Sequence, residues 1–264
     1  MKNSNFELKN KKVLITGSTG HVGKYIAYVL SQNKSQLILI DKEEKKLVMQ
    51  KKVLSKFKNK ITTYKCDFLK LNEKLNLFKK IKKDHKYIDT IINNAAFVGD
   101  SNLNGWVEKF EKQSLDTWRK CIEVNLTSIF EVCKELKSLL LKSKNPNIIN
   151  ISSIYGVLAP NFDLYQQSGT YNPAAYSVSK SGLIYLTKWL ASEMSPKIRV
   201  NSISLGGIKR YQKKIFIKKY VNSTLLNRMG TEKDIIGAII FLSTKMSEYI
   251  TGQNLIIDGG KSII

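Results

Sequence analysis

The sequence predicts a doubly wound α/β fold, a parallel sheet of about seven strands covered by helices on both faces. Three observations carry this. Short, wholly apolar runs recur along the chain, segments of helical period separate them, and a glycine-rich turn stands between the first run and the first helical segment. Apolar strands without polar alternation are those of a parallel sheet buried on both sides. Residues 13–16 read as the first strand, followed by the turn and a helix over 22–31. A second strand over 37–40 ends at Asp41, and further strands are expected at 61–65, 88–92, 147–151, 198–203 and 255–257. Long helices are expected over 115–141 and 173–194. No repeat, linker or boundary interrupts this order, so residues 1–264 are expected to form one domain.

Composition narrows the function classes. With 42% hydrophobic and 25% charged residues, the chain has the balance of a soluble globular protein. No apolar run approaches the roughly 20 residues needed to span a bilayer. The first ten residues lack the apolar stretch of a signal peptide, so no membrane association is expected and a cytoplasmic location is. Cys66, Cys121 and Cys133 show no paired metal-ligand spacing, and the only histidines are His21 and His85, so neither a disulfide framework nor a metal site is expected. The net charge of +23 invites a nucleic-acid reading. Against it, all but four of the 44 basic residues are lysine, the exceptions being Arg119, Arg199, Arg210 and Arg228. Arginine is the side chain suited to bidentate phosphate and base contacts. A nucleic-acid partner is therefore not expected, although a positive surface favours an anionic small-molecule substrate.

The chemistry resides in two patterns. Tyr176 and Lys180 are four residues apart on a segment of helical character, which puts a phenol and an ammonium on one face. A neighbouring cation favours the phenolate, lowers the tyrosine pKa and makes Tyr176 a candidate general acid/base. The turn Gly17-Ser18-Thr19-Gly20-His21-Val22-Gly23 lies between a strand and a helix, the context in which glycines let backbone approach a pyrophosphate. Asp41, ending the second strand, is placed to accept from the adenosine ribose hydroxyls; its alternative is a helix cap. A carboxylate there repels a 2′-phosphate, which favours NAD and leaves NADP, with Lys42 alongside, as the alternative.

With these residues the chain resembles the short-chain dehydrogenase/reductase family, in its short single-domain, Rossmann-like branch. The resemblance runs from Lys11 to Gly260. It takes in the glycine turn, Asn93-Asn94-Ala95-Ala96, Asn125, Asn150-Ile151-Ser152-Ser153, Tyr176 with Lys180, Asn201 through Gly207, and Tyr249 through Gly260. It implies an NAD(P)-dependent oxidoreductase acting on a secondary alcohol or ketone. In that role Tyr176 exchanges the substrate proton, and Lys180 lowers its pKa and binds the nicotinamide ribose. Ser153 orients the substrate oxygen, and Asn125 holds a water linking Lys180 to solvent. The cofactor is assigned to Gly17, Thr19, Gly20, His21, Val22, Gly23, Asp41, Asp67, Phe68, Asn93, Ala95, Tyr176, Lys180, Gly206 and Ile208. A homodimer or homotetramer is expected, with Ile122, Ile129, Leu183 and Leu190 on the helices expected to pack against a partner or the sheet.

Three departures from the family pattern stand out. His21 replaces a glycine in the turn, Leu205 replaces a proline before Gly206, and the gap between Ser153 and Tyr176 is long. The extra segment, 159–172, is polar and aromatic, which suits either a hydroxyl-rich ligand or a surface or subunit contact. Similar gaps occur in family members linked to bacterial surface-glycan and flagellin-sugar synthesis, so a sugar or sugar-nucleotide is the expected substrate. Reduction of a 3-oxoacyl group on an acidic carrier protein is the second reading, and a non-catalytic, NAD-binding regulatory or scaffold protein the third. The lysine-rich run 209–219 reads either as a lid over the site or as a solvated helix face.

Overall fold

In the computed structural model, which describes residues 7–98, 103–166, 168 and 171–264, seven parallel strands form one sheet. They are β1 (Lys12–Thr16), β2 (Gln36–Asp41), β3 (Ile61–Lys65), β4 (Thr90–Asn93), β5 (Asn147–Ser153), β6 (Arg199–Leu205) and β7 (Asn254–Ile257). Their order across the sheet is β3-β2-β1-β4-β5-β6-β7. The chain winds outward from β1 in one direction and from β4 in the other, so a crevice opens where these two strands part, beyond their carboxyl ends.

The apolar strands explain why both faces are covered. Leu14, Ile38, Ile91, Ile148 and Val200 project to one face and pack with Leu77 and Phe78 of α3 (Leu71–Asp84), Ile129 and Leu136 of α5 (Ser128–Leu140), and Leu183 and Leu190 of α6 (Ala174–Met194). Their neighbours Val13, Ile15, Leu39, Ile149 and Ile203 project to the other. There they meet Ile26 and Leu30 of α1 (His21–Gln32), Leu47 of α2 (Glu44–Leu54) and Ile239 of α8 (Glu232–Ser243). The period of two along each strand thus divides the core into two layers. Ile129, Leu183 and Leu190 are sheet contacts, which resolves that alternative for three of the four positions named above. On the same helices Phe130, Val178, Tyr185 and Trp189 are exposed instead.

Two boundaries differ from expectation. Ile88 lies outside the sheet: its N–H donates to the Leu139 carbonyl at the end of α5, and β4 begins at Thr90. The expected continuous helix over 115–141 is divided into α4 (Leu115–Ile122) and α5 by a wide π-helical turn over Glu123–Thr127. Lys74 of α3, almost fully buried, binds the carboxylates of Glu123 in this turn and Glu131 in α5. The remaining helix, α7 (Lys214–Asn222), follows β6. Among the described residues, no helix is long and apolar enough to cross a membrane.

Candidate active site

A cleft of about 970 Å³ lies along the carboxyl ends of the strands. Its floor at one end is the glycine turn. Gly17 has φ +60°, the left-handed region, and a Cβ there would lie 2.7 Å from the Ala95 Cα. Asn94 fastens the turn from behind, its side-chain amide donating to the carbonyls of Thr16 and Gly17. Gly23 is buried beneath the turn rather than lining the cleft, because a Cβ would meet the Gly17 carbonyl oxygen at 2.3 Å. The first turn of α1 then faces the cleft through Gly20, His21 and Val22, with no side-chain cap and no acidic residue. Unpaired N–H groups at a helix start are a ready anion site, so this cradle fits a pyrophosphate.

Asp41 borders the same end. Its Oδ2 accepts from the Thr19 N–H at 2.9 Å, tying β2 to the turn, and Oδ1 accepts from the Glu43 N–H at 3.3 Å. Asp67 and Phe68 line the neighbouring wall, with Asp67 Oδ1 accepting from the Leu69 N–H at 3.0 Å. Both carboxylates therefore have local backbone partners and also face the cleft. Asn93 does not reach the cleft, contrary to expectation. Its buried amide donates to Asn150 Oδ1 at 2.8 Å and joins β4 to β5, while Asn94 and Ala95 line the cleft.

Ser153, Tyr176 and Lys180 converge at the centre. Ser153 ends β5 and lines the cleft with Tyr176, where its hydroxyl acts to lower the pKa of the phenol. Ser152 points back, donating to the Lys180 carbonyl at 3.0 Å, so it anchors α6. Lys180, itself buried, donates from Nζ to the Ile151 carbonyl at 2.8 Å and lies 5.8 Å from the centre of the Tyr176 ring. Burial pushes its pKa down to about 8, and no carboxylate pairs with it among the described residues. Tyr176 departs from the expected lowering: burial pushes its phenol up to about 12, against the opposing effect of the Ser153 hydroxyl. Near neutral pH the phenol is thus a proton donor in this geometry, ready to protonate a carbonyl oxygen.

Asn125 lies in the wide turn, fully buried behind Tyr176 and off the cleft wall. Its Oδ1 accepts from the Phe97 N–H at 2.6 Å, and its amide donates to Ser179 Oγ at 3.0 Å and Cys121 Sγ at 3.3 Å. Ser179 in turn donates to the Tyr176 carbonyl at 2.7 Å. Asn125 therefore braces the Phe97 strand-end loop against the helix carrying Tyr176. A π-turn opens space for such a contact and is often found at functional sites. All three cysteines are buried thiols.

The far end of the cleft is aromatic. Of segment 159–172, residues 167, 169 and 170 lie outside the described residues; the rest supplies Tyr165, Tyr171 and Asn172 to the cleft. Phe162 stacks on Tyr171 at 4.8 Å, and Tyr165 lies 5.6 Å from Phe216 of α7. Lys219 donates to the Asp163 carbonyl at 2.7 Å, clasping α7 to this segment. Gly206 and Ile208 follow β6 into the cleft, where the Gly206 N–H donates to the Ile257 carbonyl at 2.8 Å and the Gly207 N–H to the Tyr220 hydroxyl. Lys209, Lys213, Lys214 and Lys218 point to solvent, whereas Arg210 borders the cleft and pairs with Glu232 at 2.7 Å. Sequence reasoning missed Tyr155, Asn94, Arg210 and Tyr220 as parts of the site. Only Tyr155 carried a local signal, its place two residues beyond Ser153.

A model of the family described as Enoyl-(Acyl carrier protein) reductase matches residues 18–262. The post-translational flagellin modification protein A of Campylobacter coli is 32% identical over 261 residues, covering 96% of this chain and 98% of that one. The 3-oxoacyl-acyl-carrier-protein reductase FabG of Buchnera aphidicola is 33% identical over 260 residues, covering 96% and 98%. The crystal structure of a short-chain dehydrogenase from Leptospira borgpetersenii with bound NAD+ superimposes with a TM-score of 0.84 at 32% identity, covering 99% of this chain and 96% of that chain. With these relatives and this architecture, the chain belongs to the short-chain dehydrogenase/reductase family of NAD(P)-dependent oxidoreductases.

Proposed function

We propose that the protein interconverts a secondary alcohol and a ketone on a sugar or sugar-nucleotide, with NAD preferred over NADP. The observation that carries the reading is the meeting of Ser153 and Tyr176 with an aromatic, amide-bearing wall in one cleft. Tyr176 holds the proton at its phenol oxygen and delivers it to the substrate oxygen, which Ser153 orients. Lys180, fixed by the Ile151 carbonyl, presents its amine towards the nicotinamide ribose. The start of α1 receives the pyrophosphate, and Asp41 with Asp67 receives the adenosine end. The nicotinamide supplies or accepts the hydride when bound. Asn125 keeps the Tyr176 helix in register with the Phe97 loop. The relative named as a flagellin modification protein accords with the resemblance to flagellin-sugar enzymes on which this substrate reading rests.

A second reading, reduction of a 3-oxoacyl group on a carrier protein, draws on the FabG relative and on the basic surface, which would suit an acidic carrier. Initial rates with a panel of nucleotide-sugars and a panel of 3-oxoacyl thioesters, each with both nicotinamide cofactors, separate the two. Turnover confined to thioesters would overturn the sugar reading. The exposed Phe130, Val178, Tyr185 and Trp189 support a homodimer or homotetramer through α5 and α6.

A further inference from the structure

Tyr155 lies on a short turn leaving β5, and the fold fixes its direction. Its N–H donates to Ser153 Oγ at 3.2 Å. The adjoining Gly156 packs on α6 so closely that a Cβ would lie 2.6 Å from the Lys180 carbonyl carbon, and Ser181 Oγ donates to the Gly156 carbonyl at 2.7 Å. The turn carrying Tyr155 is therefore pinned to the helix that carries Tyr176.

The Tyr155 and Tyr165 hydroxyls are 2.7 Å apart, and both side chains line the cleft. Two phenols bring two protons, and one hydrogen bond between them uses one. The Tyr165 hydroxyl donates to the Tyr155 hydroxyl, so the Tyr155 O–H remains without a protein acceptor among the described residues. A hydroxyl in a largely enclosed site is satisfied by hydrogen bonding, here to whatever fills the cleft.

We infer that Tyr155 and Tyr165 form one specificity-determining unit, which donates to a second substrate oxygen on the carbon next to the reacting one. The substrate class is thus a vicinal diol or its α-hydroxy ketone rather than an isolated alcohol. This rests on the reading of Tyr176 as acid/base at the same cleft and deepens it. A 3-oxoacyl chain carries methylene groups on both carbons beside its ketone and so offers this O–H no oxygen at that position, which a site built for a hydrogen bond there disfavours.

The test uses a matched pair, 2,3-butanediol and 2-butanol, oxidised by the full-length enzyme at saturating NAD+. The ratio of kcat/KM values is expected to favour the diol. In Tyr155→Phe that ratio should fall by about 5- to 30-fold, the weight of one hydrogen bond. Tyr165→Phe, which keeps the ring against Phe216, should lower it less. The double variant should lower it by less than the product of the two, because the pair acts as a unit. A wild-type enzyme without preference for the diol would overturn the inference, as would an unchanged ratio in both single variants. Failure of the underlying reading is seen separately: Tyr176→Phe retaining turnover of either alcohol would exclude Tyr176 as acid/base whatever the ratio does.

Discussion

Lys180→Met should change how stability depends on pH in a way that isolates one buried amine. Lys180 is 2% exposed, meets a carbonyl rather than a carboxylate, and has its pKa pushed down to about 8 by burial, from 10.5 when free. Between those values the unfolded chain holds a proton that the folded chain has released. Stability therefore rises with pH across that window, because the unfolded state binds more protons. The slope is about 1.4 kcal/mol per pH unit, and the whole window is worth about 3 kcal/mol. Below about 8 both states are protonated, and the contribution of this site is flat. Methionine keeps the length and removes the titration, while the other lysines titrate alike in both proteins. Urea unfolding of both proteins at pH 7, 8, 9 and 10 should show the wild type gaining on the variant by a few kcal/mol, most of it above pH 8. A constant difference over that range would refute the burial argument. Cofactor affinity should move the other way, weakening in the variant as the ribose-directed amine is lost.

Four further outcomes are expected. Tyr176→Phe keeps the ring but removes the proton donor, so single-turnover rates should fall by about 10²–10⁴-fold with cofactor binding retained by fluorescence titration. Asp41→Ser should shift the ratio of NAD to NADP affinities towards NADP, since the like charge facing a 2′-phosphate disappears; an unchanged ratio would remove Asp41 from cofactor selection. Gly23→Ala places a methyl 2.3 Å from the Gly17 carbonyl oxygen and should cost about 1–3 kcal/mol in urea unfolding, through backbone displacement. Light scattering at micromolar concentration should give a dimer or tetramer, which Trp189→Glu, made at an exposed apolar position of α6, should shift towards monomer.

The strands were legible because each is a short apolar run, and Tyr176 with Lys180 because helical spacing is local. Asn93 and Asn94 were harder to separate, as successive residues at a strand end face opposite ways and the composition of the pair does not say which meets the cleft. The direction of the Tyr176 pKa was misread for a related reason. Spacing brought Lys180 near, but the Ile151 carbonyl holds the amine while burial acts on both groups. Tyr165 and Arg210 belong to the site only because the described part of segment 159–172 and the loop between β6 and α7 reach the cleft, a tertiary event with no local signature. The lysines of 209–219 likewise drew attention by number, whereas it is Arg210 that borders the cleft.

The wide turn at Glu123–Thr127 also sets the phase between two halves of what would otherwise be one rod. Each helical residue advances the side-chain direction by about 100°. Removing one residue here would restore an unbroken α-helix, but only by swinging one half against the other by that angle. Either Asn125 and Cys121 would leave the Tyr176 helix, or the stripe formed by Ile129, Val132, Cys133 and Leu136 would rotate off the sheet. The bracing contact and the burial of α5 are therefore joined through a single integer of sequence length. Point substitutions can tune either one, whereas a one-residue deletion would strike both at once. Families of variants should accordingly tolerate exchanges within 123–127 far better than a change in its length.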